Sequence, residues 1–155
     1  MKSVHHKYML LALEQARKAI THGDVPVGAI VVRNEEIIGT GYNMVEKLGD
    51  PTLHAEIIAL REASENIGAK FVYDSTLYVT LEPCIMCTGA IVLARMKCIV
   101  YGADDPKMGA CGSLFSIPAE PKLNHTVEVI GGIMSDVCGK LLKDFFEKLR
   151  IQKDN

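Results

Sequence analysis

Apolar positions along the chain follow two periods that alternate from one end to the other. Between residues 4 and about 22, Val4, Tyr8, Leu11, Ala12, Ala16, Ala19 and Ile20 fall at helical spacing, and His22-Gly23-Asp24 ends the run. Residues 27–33 and 37–42 are rich in β-branched side chains and are separated by Asn34-Glu35-Glu36, the pattern of a hairpin. Gly39 and Gly41 predict a bulge, or the close approach of another backbone, near the end of that hairpin. Residues 54–69 read as a helix introduced by Asp50-Pro51-Thr52, and residues 75–81 as a strand. A further helix is predicted over 84–95, with Pro83 at its entry, where a missing N–H costs nothing. Strands over 97–101 and 126–130 and a helix over 135–150 complete the pattern. Strands separated by helices predict an α/β layered domain with a partly parallel sheet, which the opening hairpin makes mixed.

The stretch 102–124 has no such period and holds Pro106, Gly109, Gly112, Pro118 and Pro121. A loop of that length inside a compact domain is usually functional. No repeat, low-complexity tract or linker divides the chain, so one domain over 1–155 is expected.

Composition narrows the class. Of the 155 residues, 48% belong to the AVILMFWYC set and 23% are charged, which excludes a disordered chain. No apolar run approaches the roughly 18 residues of a membrane span, so no membrane association is expected. The start, Met1-Lys2-Ser3-Val4-His5-His6, has neither an apolar signal region nor transit character, and a cytoplasmic location is expected. The 17 Lys and Arg against 19 Asp and Glu give −2, with a pI near 6.2. That balance argues against indiscriminate coating of nucleic acid and leaves room for a local basic patch. Residues 139–155 supply one, with five Lys or Arg against three Asp or Glu. Five cysteines are an odd number, and a disulfide framework is not expected. Cys98, Cys111 and Cys138 stand alone and read as small buried apolar residues.

Two short motifs carry the candidate chemistry, His54-Ala55-Glu56 and Pro83-Cys84-Ile85-Met86-Cys87. His54 and Cys84 are 30 residues apart, enough for one helix and one strand, and each motif falls at a predicted helix start. Cys84 and Cys87, three apart, share a face in a first helical turn. The free N–H groups and dipole of that turn stabilise thiolates, the form that binds zinc. Three Cys and His ligands suit tetrahedral zinc with one open position, which lowers the pKa of water toward about 7. Glu56, a carboxylate beside the site, then reads as the proton carrier. Positions two apart do not face each other in a regular helix, so His54 and Glu56 converge only if His54 lies at an irregular helix entry, as Pro51 allows. Two other readings remain. Cys111 or His125 could close a structural site as a fourth ligand, and the C-x-x-C could be a redox pair, although thioredoxin-like context is missing.

His-x-Glu followed by Pro-Cys-x-x-Cys resembles the signature of zinc-dependent nucleobase deaminases. Further stretches are similar to the bacterial tRNA-specific adenosine deaminases: Asp24-Val25-Pro26-Val27-Gly28-Ala29, Asp50-Pro51-Thr52, Thr76-Leu77-Tyr78-Val79-Thr80-Leu81-Glu82, Tyr101-Gly102-Ala103, Gly112-Ser113-Leu114, Asn124-His125, and Leu141-Leu142 with Asp144-Phe145-Phe146. The resemblance covers nearly the whole chain. It implies a three-layer α/β/α sandwich around a mixed five-stranded sheet, cytidine deaminase-like, assembled as a homodimer with one zinc per subunit. It implies hydrolysis of the wobble adenosine in a tRNA anticodon stem-loop to inosine and ammonia. Carried onto this chain, it makes His54, Cys84 and Cys87 the zinc ligands and Glu56 the shuttle of protons to N1 and the amine. Asn43 would hydrogen-bond the flipped nucleoside, Pro26 and Val27 would wall the base, and the Ala55 N–H would touch its edge. Asp105, Lys107, Phe145 or Phe146, and Arg150 would meet the RNA. Asp104 and Glu147 place acid where some family members carry arginine. The rival functions are a deaminase of free guanine or cytidine, and a non-catalytic zinc-stabilised RNA-binding subunit, which would be expected to lack Glu56.

Overall fold

A computed structural model describes residues 2–155. In chain order the elements are helix α1 (Lys2–Ile20), strands β1 (Gly28–Arg33) and β2 (Glu36–Tyr42), a short helix α2 (Val45–Leu48), helix α3 (Ala55–Ile67), strand β3 (Ser75–Leu81), helix α4 (Ile85–Leu93), strands β4 (Cys98–Ala103) and β5 (Glu128–Ile130), and helix α5 (Ser135–Asp154). The predicted helices and strands all form, with ends shifted by a few residues. The pattern did not predict α2, nor the one turn of 3₁₀ helix at Ile117–Ala119 inside the long loop.

The strands make one five-stranded sheet in the order β2-β1-β3-β4-β5. β1 runs antiparallel to β2 and β3, while β3, β4 and β5 are mutually parallel, so the sheet is mixed. Asn34 and Glu35 both take positive φ, 52° and 64°, the two-residue turn that matches strand twist in a hairpin. The predicted bulge is present: Val31 pairs with Gly39 and Val32 with Ile37, leaving Ile38 as the extra residue.

Alternate strand residues feed two cores. Ala29, Val31, Leu77, Val79 and Ile99 face α3 and α4, which contribute Ala55, Ala59, Ala63, Ile91 and Val92. Ile30, Val32, Tyr78 and Val100 face α1 and α5, which contribute Tyr8, Met9, Ala12, Leu13 and Cys138. The result is three layers, α/β/α. On α1 the buried stripe runs through Tyr8, Met9, Ala12, Leu13, Ala16 and Ala19, whereas Val4 and Ile20, counted with the apolar stripe in sequence, stay exposed at the two ends of the helix. Cys98, Cys111 and Cys138 are buried, as expected of them.

Helix α3 lies directly on the backbone of β2. A Cβ on Gly41 would strike the Ala55 carbonyl oxygen and lie 2.7 Å from the Ala59 nitrogen. This contact holds the start of α3 against the end of the hairpin. Gly41→Ala should cost about 1–3 kcal/mol by overpacking, a fall in melting temperature of roughly 2–4 °C per kcal/mol. Gly139→Ala, in α5 with open space at its Cβ, should instead gain roughly 0.5–1 kcal/mol. Calorimetry of the two variants checks the sign of each.

Candidate metal centre and the pocket around it

Strand register brings the site together. Gly28 pairs with Tyr42, Ala29 with Val79, and Leu81 with Ala103. The start of β1 and the carboxyl ends of β2, β3 and β4 therefore share one edge of the sheet, the edge beyond which α/β sheets hold ligands. The chain leaves β2 into Asn43, leaves β3 into Cys84, and leaves β4 into the long loop.

Helix α3 is introduced by a turn in which Asp50 Oδ1 accepts from the Thr52 N–H (2.8 Å) and hydroxyl (2.7 Å). His54 then caps α3 in extended geometry, φ −74° and ψ 153°, with Glu56 in the first turn. This is the irregular entry that lets His54 and Glu56 converge. Cys84 caps α4 in the same way, φ −76° and ψ 179°, and Cys87 follows in its first turn. The ligand atoms of His54, Cys84 and Cys87 all lie within 4.8 Å of one another, and His54 Nδ1 is 3.5 Å from each sulfur. Among the described residues this is the one group of three so placed. Its donors, one imidazole and two thiols, are those of tetrahedral zinc with a position open.

The proposed fourth ligands are elsewhere. Cys111 Sγ sits 3.5 Å from the Thr88 hydroxyl, and His125 Nε2 meets the Met96 carbonyl at 2.5 Å. Among the described residues no fourth ligand closes the site.

Electrostatics follow the geometry. The Cys84 thiol is brought down to about 4, chiefly by its hydrogen bond with Cys87, with His54 helping and burial opposing. Cys87 is pushed up by the same bond and by burial, so the two thiols titrate as a pair. The Cys84 hydrogen bond raises His54 against burial. Glu56 is 5% exposed, and burial raises its carboxyl above the ordinary range, against the Cys87 hydrogen bond and His54. A raised carboxyl suits a group that must both take and give a proton.

A cavity of about 210 Å³ opens over these groups, lined by Val25, Val27, Asn43, His54, Glu56, Leu81, Glu82, Cys84, Asp105 and Met108. Two sequence expectations are corrected here. Pro26 is buried but does not line the cavity. Alternate residues of an extended chain face the same way, so Val25 stands beside Val27 instead. The Ala55 N–H, expected at a base edge, donates to Asn43 Oδ1 at 2.8 Å, which leaves Asn43 its Nδ2 to offer the pocket. Asp105 also lines this pocket, and its Oδ1 accepts from the amides of Lys107 and Met108.

Lys107 instead lines a second cavity, of about 470 Å³, with Phe146, Leu149, Arg150 and Lys153. Of the two phenylalanines it is Phe146, 42% exposed, that reaches this cavity. Phe145 is half-buried and packs edge-on against it, with ring centroids 5.4 Å apart. Adjacent helical residues point about 100° apart, which separates their surroundings.

Two residues that sequence reasoning passed over shape the pocket walls. Asp24, 2% exposed, accepts from the Glu46 (2.7 Å) and Lys47 (3.1 Å) amides and so ties α2 and the Asn43 segment to the start of β1. Glu82, also 2% exposed, accepts from the Asp105, Cys111 and Ser113 amides. Burial raises its carboxyl, but the Ser113, Asp105 and Cys111 hydrogen bonds outweigh that and hold it below the ordinary range. The available signal was an acid with no charged neighbour beside it, between Leu81 and Pro83 in one case and between Gly23 and Val25 in the other.

The cytidine and deoxycytidylate deaminase zinc-binding region, as a family, matches residues 2–103. The chain is 49% identical to a tRNA-specific adenosine deaminase of Haemophilus influenzae, over 95% of this chain and 86% of that one. It is 43% identical to a tRNA-specific adenosine deaminase of Bacillus subtilis, over 94% of this chain and 91% of that one. A solved structure from work on A-to-I editing by tRNA:A34 deaminases at the wobble position superposes with a TM-score of 0.84 at 39% identity, covering 88% of this chain and 99% of the other.

Metal analysis of purified protein should find about one zinc per chain. Cys87→Ala should lose it, whereas Cys111→Ala and His125→Ala should keep it. Loss of zinc in either of the last two would restore the closed structural site.

Proposed function

The chain belongs to the tRNA-specific adenosine deaminases of the zinc-binding cytidine and deoxycytidylate deaminase family, and we propose that this single domain, residues 1–155, hydrolyses the wobble adenosine of a tRNA anticodon stem-loop to inosine and ammonia. The observation that carries the reading is the buried Glu56 carboxyl beside a His54, Cys84 and Cys87 donor set within 4.8 Å, at the floor of a pocket.

His54, Cys84 and Cys87 would hold the zinc. When bound, zinc lowers the pKa of water toward about 7. Glu56 takes a proton from water and delivers it to N1 of adenine as the water oxygen bonds to C6; it then moves the second proton from that oxygen to the amino group, so the C6–N bond breaks and ammonia leaves. Val25, Val27, Leu81 and Met108 wall the base and keep bulk water from it. Asn43 offers its Nδ2 to the nucleoside. Chemistry at C6 needs the base out of its stack, so the adenosine is turned out of the loop.

The second cavity fits the flanking RNA. Lys107, Arg150 and Lys153 supply cations for phosphates, and Phe146 supplies a ring on which a base can stack. The net positive segment 139–155 places this attraction on one face of an otherwise slightly acidic protein.

We also infer a homodimer. Between α3 and α4 an open cavity of about 510 Å³ is lined by Leu60, Phe71, Ala90, Leu93 and others, and Leu93 is 73% exposed. Ile85 and Met86 extend the apolar surface along α4. A second copy of the chain, bringing the same face, covers it in a two-fold arrangement. No described helix is long and apolar enough to cross a membrane, and from the tRNA substrate we infer a cytoplasmic location.

Glu56→Gln should cut turnover of a wobble-adenosine stem-loop by roughly 10²–10⁴-fold or more, while zinc content and stem-loop affinity persist. Near-normal turnover in that variant would defeat the proton-shuttle assignment. In sedimentation, the parent should run as a dimer and Leu93→Asp as a folded monomer; a Leu93→Asp dimer would move the interface elsewhere.

A further inference from the structure

Among the described residues three carboxylates are buried: Glu56, Asp24 and Glu82. Glu56 belongs to the chemistry and Asp24 caps α2. Glu82 has no cation beside it, the one described ion pair being Lys140–Asp144 on the surface. Its charge is met by four hydrogen bonds, all from the loop after β4. The Asp105 N–H donates to Oε1 at 3.1 Å, the Cys111 and Ser113 N–H groups donate to Oε2 at 3.1 and 3.0 Å, and the Ser113 hydroxyl donates to Oε1. Several backbone amides turned onto one carboxylate make an anion nest, here filled by the protein's own side chain.

The wrapping is tight. A Cβ on Gly109 would collide with the Glu82 carboxylate. The backbone follows the same path: the Ala110 N–H donates to the Pro83 carbonyl at 2.9 Å, and Gly109 bridges Cys84. Residues 105–113 are thus folded around the segment that leads from β3 into the metal-binding cysteines. That loop presents Asp105 and Met108 to the zinc pocket and Lys107 to the basic cavity of Phe146, Leu149, Arg150 and Lys153. One buried carboxylate therefore links the two places where RNA is held.

We propose that Glu82 is a positioning residue for RNA: by folding residues 105–113 around its carboxylate it sets the zinc pocket and the basic cavity in register, so that the flipped adenosine and its neighbouring phosphates are gripped together. This rests on the tRNA deaminase reading. Its effect falls on how tightly the stem-loop is held. Glutamine at 82 keeps the size of the side chain, but it removes the charge and aims an NH₂ group at amides that must themselves donate. The loop then loses its centre.

The test compares the zinc-loaded parent with Glu82→Gln and Ser113→Ala. Zinc content should be unchanged in both. Amide hydrogen exchange should accelerate at Asp105, Cys111 and Ser113 in Glu82→Gln while β3 and α4 keep their protection. Stem-loop dissociation constant and KM should rise roughly 10–100-fold in Glu82→Gln, the range set by losing charge-assisted hydrogen bonds that hold the RNA-contacting loop, with kcat changed far less. Ser113→Ala removes one donor and leaves the charge satisfied by three, so it should shift affinity in the same direction by less; it decides the matter if Glu82→Gln does not fold. Unchanged KM in a variant whose loop amides have lost protection would overturn the proposal. So would loss of zinc, which would make Glu82 part of the metal site, or unchanged exchange at the three amides. If the parent itself fails to deaminate the stem-loop, the functional reading and the RNA role fall together, and the exchange data still judge the clamp.

Discussion

His54 and Cys84 are each the last extended residue before a helix, and both helices begin at the same edge of the sheet. That coincidence is what the rest of the site depends on. A helix start is where backbone N–H groups lack partners and the dipole is positive, so it is where a thiolate is cheapest to hold. It is also where the backbone departs from helical periodicity, so His54 and Glu56, two apart in sequence, can converge. Moving either residue one turn into its helix would lose both benefits. The antiparallel β1 and the parallel pair β3–β4 supply the shared edge, and α3 is seated there by direct contact with the glycines of β2.

The metal ligands and the pocket walls are held by different physics. The ligands ride on helices packed against the sheet, where apolar burial gives rigidity. Two further segments complete the pocket, residues 43–48, which run from Asn43 through α2, and the loop 105–113, which brings Asp105 and Met108. Each is gathered onto a buried carboxylate, Asp24 for the first and Glu82 for the second. A buried charge is tolerated only if hydrogen bonds replace its water, and here amides at the loop's own turns do so. Each acid therefore enforces one loop conformation, since any other would strand the charge. The third buried acid, Glu56, has burial working on it without such a set of amides, and its carboxyl is raised where that of Glu82 is lowered.

Much of this was legible in the residues. The period of apolar positions gave every major helix and strand, and the mixed character of the sheet followed from the hairpin. His54, Glu56, Cys84 and Cys87 were identifiable because their chemistry is encoded in spacing of two or three residues, which helix geometry converts directly into proximity. What escaped is what depends on distant partners. The bonds of Glu82 to Asp105 and Ser113 span 23 and 31 residues, and those of Asp24 to Glu46 and Lys47 span 22 and 23. No local pattern reports them. Pro26 was misplaced for a simpler reason: in extended chain, which of three neighbours lines a wall is decided by the phase of alternation, and that phase is set by the sheet. Asp105 and Lys107, two apart in one loop, line different cavities because the turn capped by Asp105 separates them, and spacing in sequence does not report that.

The central claim is that this pocket deaminates an adenosine presented by a tRNA anticodon loop. The most direct measurement incubates the zinc-loaded protein with an anticodon stem-loop carrying adenosine at the wobble position, and in parallel with free adenosine, guanine and cytidine, and analyses the products by mass spectrometry. The account predicts inosine at the wobble position of the stem-loop and no conversion of the free compounds. Conversion of a free base or nucleoside with the stem-loop left intact would contradict it, keeping the zinc chemistry and removing the RNA.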